Sequence, residues 1–205
     1  MTHSVRFLVA CAALVAAVPA APFAHFKLLE PASWIVESDR GDPQKAGPCG
    51  GDAKDKGTPT AVVGKALGGT KLHVKVLETI YHPGHYRVSL AVNSHEELPA
   101  DPQTTTRDTE KGPWSVWAVV QSPPQTPVLA DGLFPHFTRP TQPQTWETDV
   151  QLPNISCQKC TLQVVQFMAE HGYNQPGGYT YHHCADLQIT ADAAKPLDKG
   201  WPAIR

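Results

Sequence analysis

Twenty prolines are spread through this chain of 205 residues, and together with fifteen glycines they interrupt it too often for long helices. Proline locks φ and lacks the backbone N–H, so helix interiors and central strands do not run through it, and each cluster marks a turn or loop. Between the breaks lie short Val-rich runs, which favour strands. Without its first residues the chain still has the length of one domain, enough to bury a core. The expected fold is all-β, an immunoglobulin/fibronectin III-like β-sandwich with long loops.

The clearest period-two pattern supports this. Leu72, Val74 and Val76 alternate with His73 and Lys75, and Tyr86, Val88, Leu90 and Val92 alternate with Arg87, Ser89 and Asn93, which predicts two half-buried strands. Pro83-Gly84 between them requires a tight turn, placing His82 and His85 at one end of the sandwich. Further strands are expected over His25 to Glu30, Ala61 to Ala66, Trp114 to Val120, Trp146 to Leu152, Leu162 to Met168 and Cys184 to Ile189. The stretches from Trp34 to Gly51, Ser94 to Pro113 and Gln121 to Pro127 read as loops. After Thr190 the chain is expected to lie on the surface or fray.

Arg6 followed by the uncharged apolar run Phe7 to Ala21 is too short to span a bilayer as a helix and has the pattern of a secretory leader. Ala24 supplies the small residue before a cut, so residues 1–24 read as a signal peptide and 25–205 as a single mature domain, secreted or periplasmic. Cleavage after Ala20 or Ala21 is the rival, because Pro22 stands three before the Ala24 cut. A cut at Ala24 makes His25 the first residue, with an α-amine and a ring nitrogen that can hold one metal together. A net charge of −2 with no basic run argues against nucleic acid or an anionic membrane as partner. A monomer is expected.

Of five cysteines, Cys11 leaves with the leader, and the remaining even number reads as two disulfides in an exported chain. Cys157-x-x-Cys160 could be a redox or zinc motif, but it has neither a second pair nor a βαβ context. A local bridge is the better reading, which leaves Cys49 to pair with Cys184.

Among the histidines, His73 reads as a surface strand residue, and His95 and His136, in polar loops, read as solvated. His25, His82, His85, His171, His182 and His183 remain as candidates. His25, the run His82-Pro83-Gly84-His85-Tyr86-Arg87-Val88-Ser89, and Tyr179-Thr180-Tyr181-His182-His183-Cys184 resemble, in order, parts of the lytic polysaccharide monooxygenases. Pro48-Cys49-Gly50-Gly51 is similar to related histidine-brace copper proteins that are not established as oxygenases, and the whole resembles a bacterial polysaccharide monooxygenase-like group. The resemblance rests on a few short motifs.

It implies one copper per chain, held by His25 and His82 with Tyr181 axial, and His85 or His183 as alternative ligands. It implies His171, with Gln166 or Glu170, as groups that orient oxygen species and move protons. It also implies a polysaccharide substrate, an external electron donor, and oxygen or peroxide, in an oxidative cleavage of glycosidic bonds. At Tyr179 the chain departs from the cellulose-active pattern, which has glutamine two before the axial tyrosine. A copper-binding or copper-delivery protein without turnover, and a carbohydrate-binding sandwich with incidental histidines, are the competing readings.

Overall fold

The computed structural model describes residues 25–203, so the expected leader and its cut lie outside the described residues. Among the described residues, ten strands and one short 3-10 turn, His95–Glu97, make up the regular structure. Strands β1 (His25–Glu30), β3 (Lys71–Ile80) and β8 (Gln144–Gln151) form a three-stranded sheet in the order β1-β3-β8. Strands β2 (Val63–Leu67), β4 (Gly84–Ala91), β7 (Val128–His136), β9 (Cys157–Met168) and β10 (Thr180–Thr190) form a five-stranded sheet in the order β2-β10-β9-β4-β7. A separate hairpin joins β5 (Thr104–Arg107) to β6 (Trp114–Ala118).

The two larger sheets close on one apolar core. Phe26, Leu28, Val74, Val76 and Val150 come from the three-stranded sheet and meet Tyr86, Val88, Leu90, Leu162, Val164, Ala185 and Leu187 from the other. Each set occupies alternate strand positions, because successive side chains leave a strand on opposite faces. This is the expected all-β sandwich, with its long loop between β1 and β2. Cys49–Cys184 and Cys157–Cys160 are disulfides, and the second lies inside β9 rather than ahead of a helix.

Several local expectations need correction. Strand β4 is buried at every position, not half-buried, because its outer face is also covered. There Arg87 pairs with the buried Asp131 of β7 at 2.8 Å and also donates to Val119 O just beyond β6. The polar excursion after Ser94 contributes β5 to the hairpin. Strand β7 was not expected at all, and its last residue, His136, is buried rather than solvated. The tail after Thr190 is tied down where the Asn154 side-chain amide donates to the carbonyls of Asp192, Lys195 and Pro196.

His183 is also part of the interior. It lies edge-on to Phe26, 4.7 Å between ring centres, with Nε2 3.0 Å from Phe26 O and Nδ1 3.0 Å from Glu37 Oε1. Burial pushes the Glu37 carboxyl up to about 7, against the opposing pull of the Leu28 N–H, and pulls His183 down to about 3. The native state therefore keeps the Glu37 proton up to about pH 7, whereas the unfolded chain releases it near 4.5. That stabilisation is full below the lower value and disappears as pH rises through the upper one. His183 acts in the opposite sense below its ordinary value, so the clean comparison is between variants. In denaturant titrations from pH 4.5 to 7.5, Glu37→Gln should gain on the parent by up to about 3 kcal/mol as pH rises; a pH-independent gap would contradict this.

Candidate functional site

Histidine 82 is fixed by the turn that enters β4. At Gly84 a Cβ would lie 1.9 Å from Phe167 O, so only glycine lets this turn close onto β9. Pro83 O then accepts the Ala169 N–H at 2.7 Å, and His82 is brought to the edge of the sandwich but kept nearly buried.

Strand β1 brings His25 to the same end. Its antiparallel register sets His25 opposite Ile80, at the end of β3 and two residues ahead of His82. The following loop folds back tightly. A Cβ at Gly41, whose φ is +100°, would lie 1.8 Å from Phe26 O, so glycine is needed for this approach. The next residue, Asp42, places Oδ1 3.1 Å from His25 Nε2. That hydrogen bond holds the Asp42 carboxyl below its ordinary range.

Tyr181, on the core face of β10, has its ring 5.3 Å from that of His25. Burial raises its phenol to about 12, against a smaller opposing effect of Asn174. His171, in the loop between β9 and β10, packs edge-on against His82 at 4.6 Å. Its Nδ1 is bonded to Gly172 O, and burial holds the imidazole below its ordinary pKa. Four of the expected residues therefore gather at one end, as two contacting pairs: His25 with Tyr181, and His82 with His171. The donors available are imidazoles, a phenol and the Asp42 carboxylate. Among the described residues, no group of three or more His, Cys, Asp or Glu side chains is arranged to hold a metal.

Beneath His82 is a residue that sequence reasoning missed. Glu78, 1% exposed, crosses from β3 into the core, where its Oε1 accepts from His82 N–H at 3.1 Å, His136 Nε2 at 3.0 Å and Gln166 Nε2 at 3.0 Å. His136 Nδ1 faces Phe134 O at 2.6 Å, so both ring nitrogens meet acceptors, which suits an imidazolium. Burial pulls the His136 pKa down, but the Glu78 carboxylate and the Phe134 carbonyl outweigh it and the net shift is upward. A polar glutamate at an inward position of an otherwise alternating strand was the available signal for Glu78.

Of the remaining candidates, Gln166 belongs to the same end and the others do not. Gln166 faces the core beside Tyr181 in the β9–β10 register, but its amide is turned to Glu78. Glu170 is exposed and ion-paired with Arg107 of the hairpin, which takes it out of the cluster. His183 is held between Phe26 and Glu37. His182 points to the other face of β10 and bonds Asp101 at 2.7 Å. His85 lies on the outer face of β4, tilted over Phe167 at 5.2 Å. Tyr179 donates to Pro113 O at 3.2 Å.

No protein-family model matches the chain, and no curated protein matches it. Among solved structures it is similar to the lytic polysaccharide monooxygenase AA15 from Thermobia domestica in the Cu(I) state. The identity is 16% and the TM-score 0.47, covering 81% of this chain and 99% of that one.

Removing Glu78 leaves three buried donors without their acceptor. Glu78→Ala should therefore lower unfolding free energy by about 3–5 kcal/mol, whereas Glu78→Gln, which keeps an acceptor oxygen, should lose about half as much. Urea titration measures both, and equal losses would mean that the hydrogen bonds do not carry the effect.

Proposed function

We propose that the mature chain is a secreted mononuclear copper protein of the histidine-brace type, acting as a lytic polysaccharide monooxygenase-like oxidoreductase. In this reading, cleavage after Ala24 frees the His25 amine, His25 and His82 would hold one copper, and Tyr181 would stand beside it. The observation that carries it is the 3.1 Å contact between His25 Nε2 and Asp42. A carboxylate there holds the ring proton on Nε2 and leaves Nδ1, the nitrogen nearer the backbone amine, as the unprotonated donor. The bond from the His82 backbone N–H to Glu78 steadies the other ligand. Nitrogen donors of this kind suit copper, and partners behind the ligands typically tune both orientation and basicity.

Copper in such a site would supply one-electron oxidising chemistry toward a C–H bond beside a glycosidic linkage, with an external electron donor and oxygen or peroxide as co-reactants. The chain's own residues have separate tasks. Asp42 fixes the His25 tautomer. Tyr181, held as a neutral phenol by its raised pKa, covers one side without offering a phenolate. His171 has its Nδ1 bonded to Gly172 O, so its Nε2 is the nitrogen able to hold or pass a proton beside His82. Gln166 gives its Nε2 to Glu78 and keeps Oε1 without a partner, whereas Glu170 is drawn to Arg107, so Gln166 is the better polar partner for His171.

Tyr179 favours the second reading, a copper-binding or delivery protein without turnover. It stands where the cellulose-active pattern has glutamine, and its hydroxyl is engaged by Pro113 O.

The test separates binding from turnover. Protein starting at His25 should bind one equivalent of copper with a type-2 EPR signal, His82→Ala should abolish that signal, and His85→Ala should retain it. Asp42→Ala should weaken copper binding about 10- to 100-fold. A start at Ala21 or Pro22 would remove the amine ligand and sink the brace. With reductant and peroxide, oxidised oligosaccharides from chitin, cellulose, xylan or starch are the expected result. Tight copper binding with neither product nor peroxide formation would support the second reading.

A further inference from the structure

On the outer face of the five-stranded sheet, across β4 from the core that carries His25 and His82, a cavity of about 290 Å3 opens between β4, β6 and the end of β7. Its walls include Trp117, Val120, Pro135, Phe137 and Phe167, and His85 is the one side chain among the described lining residues that offers a hydrogen-bond acceptor. His85 is 7% exposed, and its Nε2 is buried without a hydrogen-bond partner. Such a nitrogen is costly to leave unsatisfied. Trp117 and Phe137 meanwhile stand 53% and 69% exposed at the rim, which is unfavourable unless something covers them.

The chemistry of these walls narrows what fits. None of the described lining residues is a lysine, arginine or carboxylate, so a charged ligand would lose its hydration without gaining a counter-charge. The volume lies at the lower limit for ligand pockets, which restricts the body to about one ring. Aromatic walls favour an aromatic ring, through edge and offset contacts. Burial lowers the His85 pKa, so the imidazole is neutral near pH 7 and can exchange a hydrogen bond with a hydroxyl in either tautomer. We propose that this cavity binds a small neutral phenol, with its ring between Trp117, Phe137 and Phe167 and its hydroxyl bonded to His85 Nε2. The site is independent of whether His25 and His82 hold copper.

Phenol and toluene, which differ only by the hydroxyl, are the probes. Each is titrated into the whole mature chain and followed by NMR at the Trp117 indole and His85 ring signals. Phenol should shift both saturably and bind about tenfold more tightly than toluene, as one recovered hydrogen bond to a buried group implies. His85→Phe, which keeps the ring volume, should make the two affinities equal. Val120→Trp, which fills the cavity from a half-exposed position, should abolish both. Should His85→Phe fail to fold, the parent's phenol-to-toluene ratio and Val120→Trp still decide the matter. No saturable shift with phenol, or equal affinities in the parent, overturns the site. So do shifts that grow with protein concentration alone, which would assign the face to a second copy of the chain.

Discussion

A buried carboxylate constrains this end of the molecule more than any other group. Glu78 stands on the three-stranded sheet, but one of its oxygens, Oε1, accepts from the turn into β4, from β7 and from β9, all on the other side of the sandwich. An ion taken out of water is penalised by several kcal/mol unless donors converge on it. Three donors converge here, and each comes from a different segment. The sheets can therefore slide or tilt at this end only by breaking the set. An apolar residue of the same volume can leave a core as stable or more so, but it would not fix the position of the His82 turn.

Legibility in the sequence followed the range of the interactions. The alternation of Leu72, Val74 and Val76, and of Tyr86, Val88 and Leu90, reports a local two-residue period, and both strands were found from it. Strand β7 was hidden because Asp131, Gly132 and Pro135 break any such period, and its burial on one side depends on the Arg87–Asp131 pair. The start of β9 was missed because Gln158 and Lys159 are exposed within it. His136 read as a solvated loop residue since its partner, Glu78, lies 58 positions away in the chain. Asp42 was seen only as loop material for the same reason: its partner is His25, across a turn that Gly41 alone permits.

The cysteines were legible by parity and spacing, and the Cys49–Cys184 bridge matters to the site through geometry. It attaches the loop carrying Asp42 to the strand carrying Tyr181. Gln44 reinforces the same join, since its carbonyl accepts from His182 N–H at 2.8 Å and its side chain accepts from Phe26 N–H at 3.1 Å. The long loop is thus fastened to both β1 and β10, which is why a segment without regular structure can hold a carboxylate beside His25.

His82 and His85, interchangeable as a motif, are set apart by strand parity. His85 shares its face with Arg87 and Ser89, whereas Tyr86, Val88 and Leu90 face the core. A side chain on that outer face cannot reach β1, whose contacts with the five-stranded sheet run through Phe26 and the core. His82 precedes Gly84 and is released from the strand's alternation by the turn, so it can lie against His171 at the open end. Two histidines three residues apart therefore belong to opposite sides of one sheet, and a chemistry assigned to one does not transfer to the other.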